Sequence, residues 1–219
     1  MQITAFLSIG STYTFLTALR LRGVIEREGL DLRFRPFSVR AIMREMNNIP
    51  FPPEKEAKVR YMWRDIERRA GGYGLPTPTV PAPYPLQDFD RANHVGVIAE
   101  QEGWYLDYFE ATYRAWFLDG VEAGSDDNIR RVFEQLGKSY DAVSTAAAAP
   151  EADAAYRANT DAAKAAGVFG APSFVVGDEL FWGDDRLEDA IAFSRACRSA
   201  VPTRKALNTT GAVCNTPEP

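Results

Sequence analysis

A hydroxyl group at a predicted strand-to-helix junction is the strongest candidate for chemistry in this sequence. Ser11 follows an apolar run that stops at Gly10, and the residues after it carry apolar side chains at helical spacing. A helix N-terminus presents free N–H groups and a partial positive charge, both of which stabilise a thiolate. Because no cysteine stands at this junction, we expect Ser11 to donate a hydrogen bond to a ligand's thiolate. The alternative is that Ser11 only caps the helix.

A proline near the C-terminus is the second candidate. Pro172 stands at the start of the β-favouring run Ser173–Val176. Proline lacks an N–H group, so it is awkward in a central strand unless its peptide bond is cis or nearby backbone groups must stay free for a ligand. The alternative is a proline that only begins an edge strand.

Composition and charge argue against several classes of function. The chain has 219 residues and a net charge of −5, and its basic residues occur only in short pairs, so neither nucleic acid nor an anionic membrane is favoured as a partner. One histidine, His94, and two distant cysteines argue against a metal site and against a Ser-His-Asp hydrolase. No apolar run approaches the roughly 18 residues that span a bilayer. We therefore expect a cytoplasmic protein without a metal.

The elements that must position Ser11 and Pro172 form one unit at each end of the chain. The N-terminal unit is a strand within 2–9, a helix that runs from Ser11 or Thr12 to Gly29, and a strand near 32–36. The C-terminal unit is a hairpin over 173–182 followed by a helix. Asp184 or Asp185 is expected to cap that helix, with Glu188 at capping-box spacing.

The region between these units reads as helical. Helices are predicted at 54–70, 87–101, 105–118, 126–137, 140–148 and 151–166, and Gly71-Gly72 is expected to end the first. Five prolines within 75–85 predict an extended loop. The charged residues 65–69 are interpreted as a solvated helix face. We interpret the aromatic residues of 104–117 as helix core rather than a substrate platform, and His94 as a packing residue rather than an acid or base.

A βαβ unit, a helical insertion and a ββα unit together predict an α/β protein with a thioredoxin-like fold and a large all-α insertion domain. The expected thioredoxin-like domain comprises 1–40 and 160–202, the insertion 41–159, and a flexible tail 203–219. In thioredoxin-like proteins a cis-proline faces the start of the first helix. That likeness makes Ala171, which precedes Pro172, a binding position through its backbone.

Four motifs resemble one family of the DsbA-like thioredoxin superfamily, the 2-hydroxychromene-2-carboxylate isomerases, and the related kappa-class glutathione transferases. The motifs are Ser11–Leu16, Asn47–Pro50, Lys58–Tyr61 and Gly167–Ile191. The last motif is the most specific, because it contains Phe-Gly-Ala-Pro-Ser-Phe and Leu-Phe-Trp-Gly-Asp-Asp-Arg-Leu. The resemblance covers the chain up to its C-terminal tail.

This resemblance implies that glutathione is the cofactor and that Ser11 is the catalytic residue, hydrogen-bonded to the glutathione sulfur. It implies that Ala171 and Pro172 present the backbone that pairs with the cysteinyl residue. Asn48 and Lys58 match family positions that contact glutathione, and a lysine suits the glycine carboxylate.

At the other end of glutathione, the resemblance assigns the γ-glutamyl group to Asp184 and Asp185. An aspartate can hold the ammonium while free N–H groups at a helix start receive the carboxylate. Two departures from the family affect these assignments. Thr12 replaces a proline, and Asp184 stands where related transferases carry serine, which adds a negative charge near a carboxylate subsite.

The activity implied is isomerisation of a conjugated aryl enone acid in the catabolism of aromatic compounds, by reversible addition of the thiolate. Two alternatives remain open: a transferase that leaves glutathione on an electrophile, and a thioredoxin-like binding module without catalysis. The expected partner is a small aromatic substrate. The family commonly forms dimers, so a homodimer is a further expectation, although no interface is evident in the sequence.

Overall fold

The computed structural model describes residues 1–48, 51–52 and 54–200, with the backbone alone for 199 and 200. Its sheet contains the strands β1 (Ile3–Leu7), β2 (Leu32–Pro36), β3 (Ser173–Val176) and β4 (Glu179–Trp182), in the order β2-β1-β3-β4. β1 runs parallel to β2 and antiparallel to β3, and β3 and β4 form an antiparallel hairpin. The βαβ and ββα units are confirmed, and with them the thioredoxin-like fold.

Nine helices are described around this sheet. They are α1 (Thr14–Glu28), α2 (Val39–Glu45), α3 (Glu56–Gly72), α4 (Arg91–Gln101), α5 (Tyr105–Phe117), α6 (Asp126–Leu136), α7 (Tyr140–Ala147), α8 (Pro150–Ala165) and α9 (Leu187–Ala200). One 3-10 turn, Asp184–Arg186, precedes α9. None of the described helices combines the length and the apolar character needed to cross a membrane.

The helical region packs on the sheet through a continuous core. Phe15 of α1 stacks on Phe117 of α5 with ring centroids 4.4 Å apart, and both rings are fully buried. β1, which lies between β2 and β3, is almost entirely buried, as its apolar run predicts. Burial of large aromatic rings is a major source of stability, so this contact stabilises the packing of α5 against α1.

The helices differ from the predicted ones in several places, for example at the start of α4, which begins at Arg91 and not at Gln87. α2 was not expected; it is one short helix that begins after Ser38, whose hydroxyl accepts a hydrogen bond from the Ala41 N–H at 3.2 Å. α3 continues through Gly71 and Gly72, because the left-handed residue that follows the helix is Gly74 (φ 67°). α8 runs unbroken across the expected domain boundary at 159/160. The predicted tail, 203–219, lies outside the described residues.

Candidate functional site

One groove of about 870 Å³ brings the predicted site residues together. It lies between the loop from β1 to α1, the segment from α2 to α3, and the segment from β4 to α9. All seven predicted residues line it: Ser11, Asn48, Lys58, Ala171, Pro172, Asp184 and Asp185. Ile49 and Pro50 of the second motif lie outside the described residues. The described part of the groove contains no cysteine.

Ser11 lies at the floor of the groove and does not cap α1. The helix begins at Thr14, and no side chain accepts a hydrogen bond at its N-cap residue, Tyr13. Instead, Ser11 Oγ donates to the carbonyl oxygen of Ala171 at 2.8 Å. The alternative role of Ser11 as a cap is therefore wrong. Its hydroxyl directly joins the loop before α1 to the segment before β3.

The Ala171–Pro172 peptide bond is cis, and Pro172 precedes a central strand. The alternative of an edge-strand proline is wrong, because β3 is flanked by β1 and β4. The carbonyl of Pro172 accepts a hydrogen bond from the Gly183 N–H at 3.0 Å, which ties β3 to the start of the 3-10 turn. The backbone around Ala171 is thus held on both sides.

Two residues of the helical region brace the Ser11 loop, and sequence analysis identified neither. Asn93 of α4 is buried; its side chain accepts from the Ile9 N–H and donates to the Ile9 carbonyl, both at 2.8 Å. Tyr113 Oη lies 2.9 Å from the Ser11 carbonyl, to which it donates, and burial raises the pKa of its phenol. An asparagine within the largely apolar stretch 92–99 of α4 was the available signal for Asn93.

Thr12, which stands where the resembled family carries proline, is held in place by α3. Thr12 is buried, and its hydroxyl donates to the sulfur of Met62 at 3.0 Å. A hydrogen bond to α3 therefore restrains the turn at which the resembled family carries proline. The loop before α1 is held by contacts from α3, α4 and α5.

Asp184 reaches the groove with its carboxylate fully enclosed. Oδ1 accepts from Arg20 Nε at 3.1 Å and from Thr17 Oγ1 at 3.2 Å, and Oδ2 accepts from Arg69 Nη2 at 2.8 Å and from Tyr73 Oη at 3.0 Å. Its side chain has no exposed surface. Two arginines offset the negative charge that this departure adds. The geometry gives the Asp184 carboxylate the role of holding Arg20 and Arg69, in place of the expected direct contact with a ligand.

Asp185, the next residue, is exposed where Asp184 is enclosed. Its side chain is 47% exposed and pairs with Arg186 at 3.2 Å. The predicted cap of the last helix is wrong for Asp184 and Asp185 alike, because both lie within the 3-10 turn and α9 begins only at Leu187. The carboxylate of Asp185 therefore remains accessible from the groove.

The opposite rim carries exposed polar residues. Asn48 and Lys58 are exposed, and Lys58 Nζ lies 5.1 Å from the centre of the Phe51 ring. Within the described residues no carboxylate lies within ion-pair distance of Lys58. A cation of this kind, held by an aromatic ring, suits a ligand's carboxylate.

The inner face of α3 corrects the interpretation of residues 65–69 as a solvated face. Asp65 accepts a hydrogen bond from Tyr13 Oη at 3.0 Å, and Arg69 pairs with Asp184; both residues line the groove. Burial and the bond to Asp65 raise the pKa of Tyr13. Arg68, by contrast, is exposed, as predicted. The helical pattern could not distinguish these faces, since the buried partners come from distant parts of the chain.

The other predicted roles outside the groove are confirmed. The seven aromatic residues of the 104–117 segment are buried: Trp104, Tyr105, Tyr108, Phe109, Tyr113, Trp116 and Phe117. His94 packs against Tyr156 of α8 with ring centroids 4.8 Å apart and does not line the groove. The aromatic walls come from other residues, among them Phe51, Tyr84, Phe89 and the exposed pair Phe169 and Trp182.

The fold and the groove define a thioredoxin-like protein of the DsbA type. The model of the family described as DSBA-like thioredoxin domain matches residues 2–191, and the chain belongs to this family.

Within this class the chain is similar to 2-hydroxychromene-2-carboxylate isomerases. It is 29% identical to the enzyme of Sphingobium xenophagum over 81% of this chain and 90% of that protein. It is 27% identical to the enzyme of Pseudomonas putida over 90% of this chain and 97% of that protein. A solved structure of such an isomerase superposes with a TM-score of 0.79 at 26% identity, covering 91% and 97% of the two chains.

Proposed function

We propose that this protein is a glutathione-dependent isomerase of conjugated aryl enone acids in the breakdown of aromatic compounds. One observation carries the proposal: the Ser11 hydroxyl hydrogen-bonds the carbonyl before cis-Pro172, at the floor of a groove whose described part has no cysteine. The site is thus arranged to bind a thiol without containing one. Relatives named 2-hydroxychromene-2-carboxylate isomerase support this substrate class.

The charges of the groove fit glutathione, which has two carboxylates and one ammonium group. The ammonium of Lys58 suits the glycine carboxylate, and Asn48, which lines the same groove, offers a further polar contact. Asp185 offers an exposed carboxylate to the ammonium, and the backbone N–H groups of the adjacent turn suit the γ-glutamyl carboxylate. Asp184 is a positioning residue that holds Arg69 at the groove wall.

Ser11 is the group that acts on the sulfur. Its one hydrogen is donated to the Ala171 carbonyl, and rotation of the hydroxyl about the Cβ–Oγ bond redirects that hydrogen to a sulfur in the groove. The same rotation frees the Ala171 carbonyl to accept a cysteinyl N–H. The hydrogen bond between Ser11 and Ala171 is thereby lost and two others replace it. One is a neutral bond from the cysteinyl N–H to the Ala171 carbonyl, and the other is a charge-assisted bond from Ser11 to the sulfur, which favours the thiolate over the thiol.

When bound, glutathione supplies a thiolate that adds reversibly to the conjugated double bond, which allows rotation about that bond before the thiolate leaves. The residues of the chain orient the two molecules and keep the sulfur ionised. The floor that carries Ser11 is braced by Asn93 and Tyr113, so the hydroxyl is held at a defined place. A cytoplasmic location fits this proposal, because the cytosol holds a reduced glutathione pool.

Calorimetric titration with reduced glutathione, together with an assay of 2-hydroxychromene-2-carboxylate isomerisation, tests the proposal. We expect saturable binding, and we expect Ser11→Ala to lower the isomerisation rate by about 100-fold or more, as loss of a donor to developing charge does. Ser144→Ala is the control, because it removes a hydroxyl of α7 that does not line the groove. We expect that variant to match the unmodified protein.

Two results would contradict the proposal. The absence of glutathione binding at millimolar concentration would exclude the thiol cofactor, and unchanged isomerisation by Ser11→Ala would exclude the assigned role of Ser11. Stoichiometric loss of free glutathione during the reaction would identify a transferase instead. The oligomeric state remains a prediction, which sedimentation velocity can test.

A further inference from the structure

Arg40, on α2, is a groove cation that the proposed glutathione contacts leave unused. Its guanidinium carbon lies 4.3 Å from the centre of the Phe89 ring. Within the described residues no carboxylate lies within ion-pair distance of it. The other two arginines of the groove are paired, Arg69 with Asp184 and Arg186 with Asp185. Arg40 is therefore available to an anionic ligand in a way that its neighbours are not.

The position of Arg40 is defined by the ring beneath it. Phe89 packs against the start of the Ser11 loop so closely that a methyl group on Gly10 would come within 2.9 Å of its Cδ1 atom. Tyr84 is close as well: burial raises the pKa of its phenol, and the charge of Arg40 opposes that rise. The Arg40 guanidinium thus lies one aromatic ring away from the loop that carries Ser11.

The groove consequently has two cation–aromatic pairs, at opposite ends of the same loop. Arg40 lies over Phe89, which contacts Gly10, and Lys58 lies near Phe51, whose ring centroid is 6.2 Å from that of Tyr13. Ser11 stands between Gly10 and Tyr13 in the chain. Each cation is thus linked to the Ser11 loop through one aromatic ring, Arg40 through Phe89 to Gly10 and Lys58 through Phe51 to Tyr13.

A guanidinium that lies over a ring can keep N–H donors at the edge of its own plane, where a carboxylate accepts two of them at once. An aryl enone acid combines an aromatic ring with a carboxylate next to the conjugated carbonyl. The rings of Phe89 and Tyr84 suit its aryl group, and the adjacent guanidinium suits its carboxylate.

Resting on the proposed function, we infer that Arg40 binds the substrate carboxylate and restricts the isomerase to acids. Lys58 and Asp185 then serve the two ends of glutathione, while Arg40 serves the second molecule. Arg40 is in this sense a specificity-determining residue, with no part in ionising the thiol.

The test compares an acid with its neutral analogue. Cis-benzylidenepyruvate and cis-benzylideneacetone share the aryl enone and differ by one carboxylate, and their isomerisation is followed by absorbance with glutathione present. For Arg40→Gln we expect kcat/KM to fall on the order of 10- to 100-fold for the acid, the range for a hydrogen bond to a charged group. For the neutral ketone, kcat/KM should change less than about twofold. Loss of folding would lower kcat/KM for both compounds and so would not produce this difference.

Two further variants accompany Arg40→Gln: Arg44→Gln as the control and Arg40→Lys as the conservative substitution. Arg44 is an exposed arginine one turn further along α2 that does not line the groove, so its variant should behave like the unmodified protein. Arg40→Lys keeps the charge but loses the planar pair of donors, so it should recover part of the acid activity.

The outcomes separate this inference from the proposed function. Equal losses for acid and ketone, or no loss for either, would overturn the role of Arg40 and leave the isomerase standing. Weaker glutathione binding by Arg40→Gln in calorimetry would overturn it as well, because Arg40 would then serve the cofactor. Failure of the unmodified protein to isomerise either compound would contradict the proposed function itself.

Discussion

The polar groups at the floor of the groove are bonded within the protein, whereas those on its rim are exposed. At the floor, the Ser11 hydroxyl, the Ile9 backbone and the Asp184 carboxylate all have partners within the protein, most of them buried. On the rim, the side chains of Asn48 and Lys58 are exposed. Groups satisfied internally fix geometry, whereas groups left exposed are available to a ligand. Substitutions at the floor should therefore affect stability, and substitutions on the rim should affect binding alone.

The largest effect is expected for Asp184→Ala. Removal of this carboxylate leaves Arg20, whose side chain is 9% exposed, as a buried charge without that partner and also releases Arg69. We expect a loss of about 3–5 kcal/mol in the free energy of unfolding, measured by urea denaturation. The neighbouring Asp185→Ala, at an exposed position, should change stability by no more than about 0.5 kcal/mol. Equal effects of the two variants would contradict the distinction between floor and rim.

A smaller loss is expected for Asn93→Ala. The substitution leaves the Ile9 N–H and carbonyl without the partners that hold the Ser11 loop. We expect a loss of roughly 2–3 kcal/mol in the free energy of unfolding, because each buried unpaired group is penalised. Isomerisation should fall as well, since the loop position is no longer defined. Asn48→Ala is the matched asparagine variant on the rim, and a comparable loss of stability there would refute the comparison.

Lys58→Ala should change binding without changing stability. Its exposed ammonium contacts Phe51 but, among the described residues, has no ion-pair partner to leave behind. We expect the Kd for glutathione to rise about tenfold in calorimetry, through loss of one charge-assisted contact. Lys55→Ala, three residues earlier and outside the groove, is the control. Identical affinities for the two variants would remove Lys58 from the proposed site.

The smallest effect is expected for Glu188→Gln, which removes a charge that pairs with Arg20 beside Asp184. Arg20 donates to Glu188 at 2.9 Å, and this bond lowers the pKa of the Glu188 carboxyl below its usual value. A carboxylate with a lowered pKa stabilises the folded state above its unfolded pKa and loses that contribution as pH falls through the folded value. Glu188→Gln should therefore lower stability by less than about 1 kcal/mol at neutral pH, since Glu188 is half exposed. Denaturation at pH 3 should show a smaller difference; a difference that grows on acidification would exclude this linkage.

The sequence predicted the parts of the site that depend on local chemistry. An apolar strand that stops at Gly10 and a proline before a β-favouring run placed Ser11 and Pro172 at chain positions that the fold brings together. The hairpin turn at Gly177 and the end of α1 at Gly29 were predictable in the same way, since both glycines adopt positive φ.

Other parts of the site depend on partners distant in the chain. Asp65 and Arg69 resemble their solvated neighbours in sequence, and only the approach of Tyr13 and Asp184 distinguishes them. Asn93 and Ile9 are 84 residues apart, and Tyr113 and Ser11 are 102 apart. No periodic pattern within one helix can specify such a pair.

By itself, the sequence determined the order of the strands and of every helix except α2, the absence of a cysteine at the start of α1, and a hydroxyl in its place, because these follow from residue type and short-range spacing. Only the tertiary structure decided that Asp184 is an internal anchor while Asp185 stays accessible, and that Arg40 lies over Phe89 beside the Ser11 loop. The physical reason is that burial and pairing of charge depend on which distant surfaces meet when the core closes, and neighbouring residues of the same type can have opposite environments.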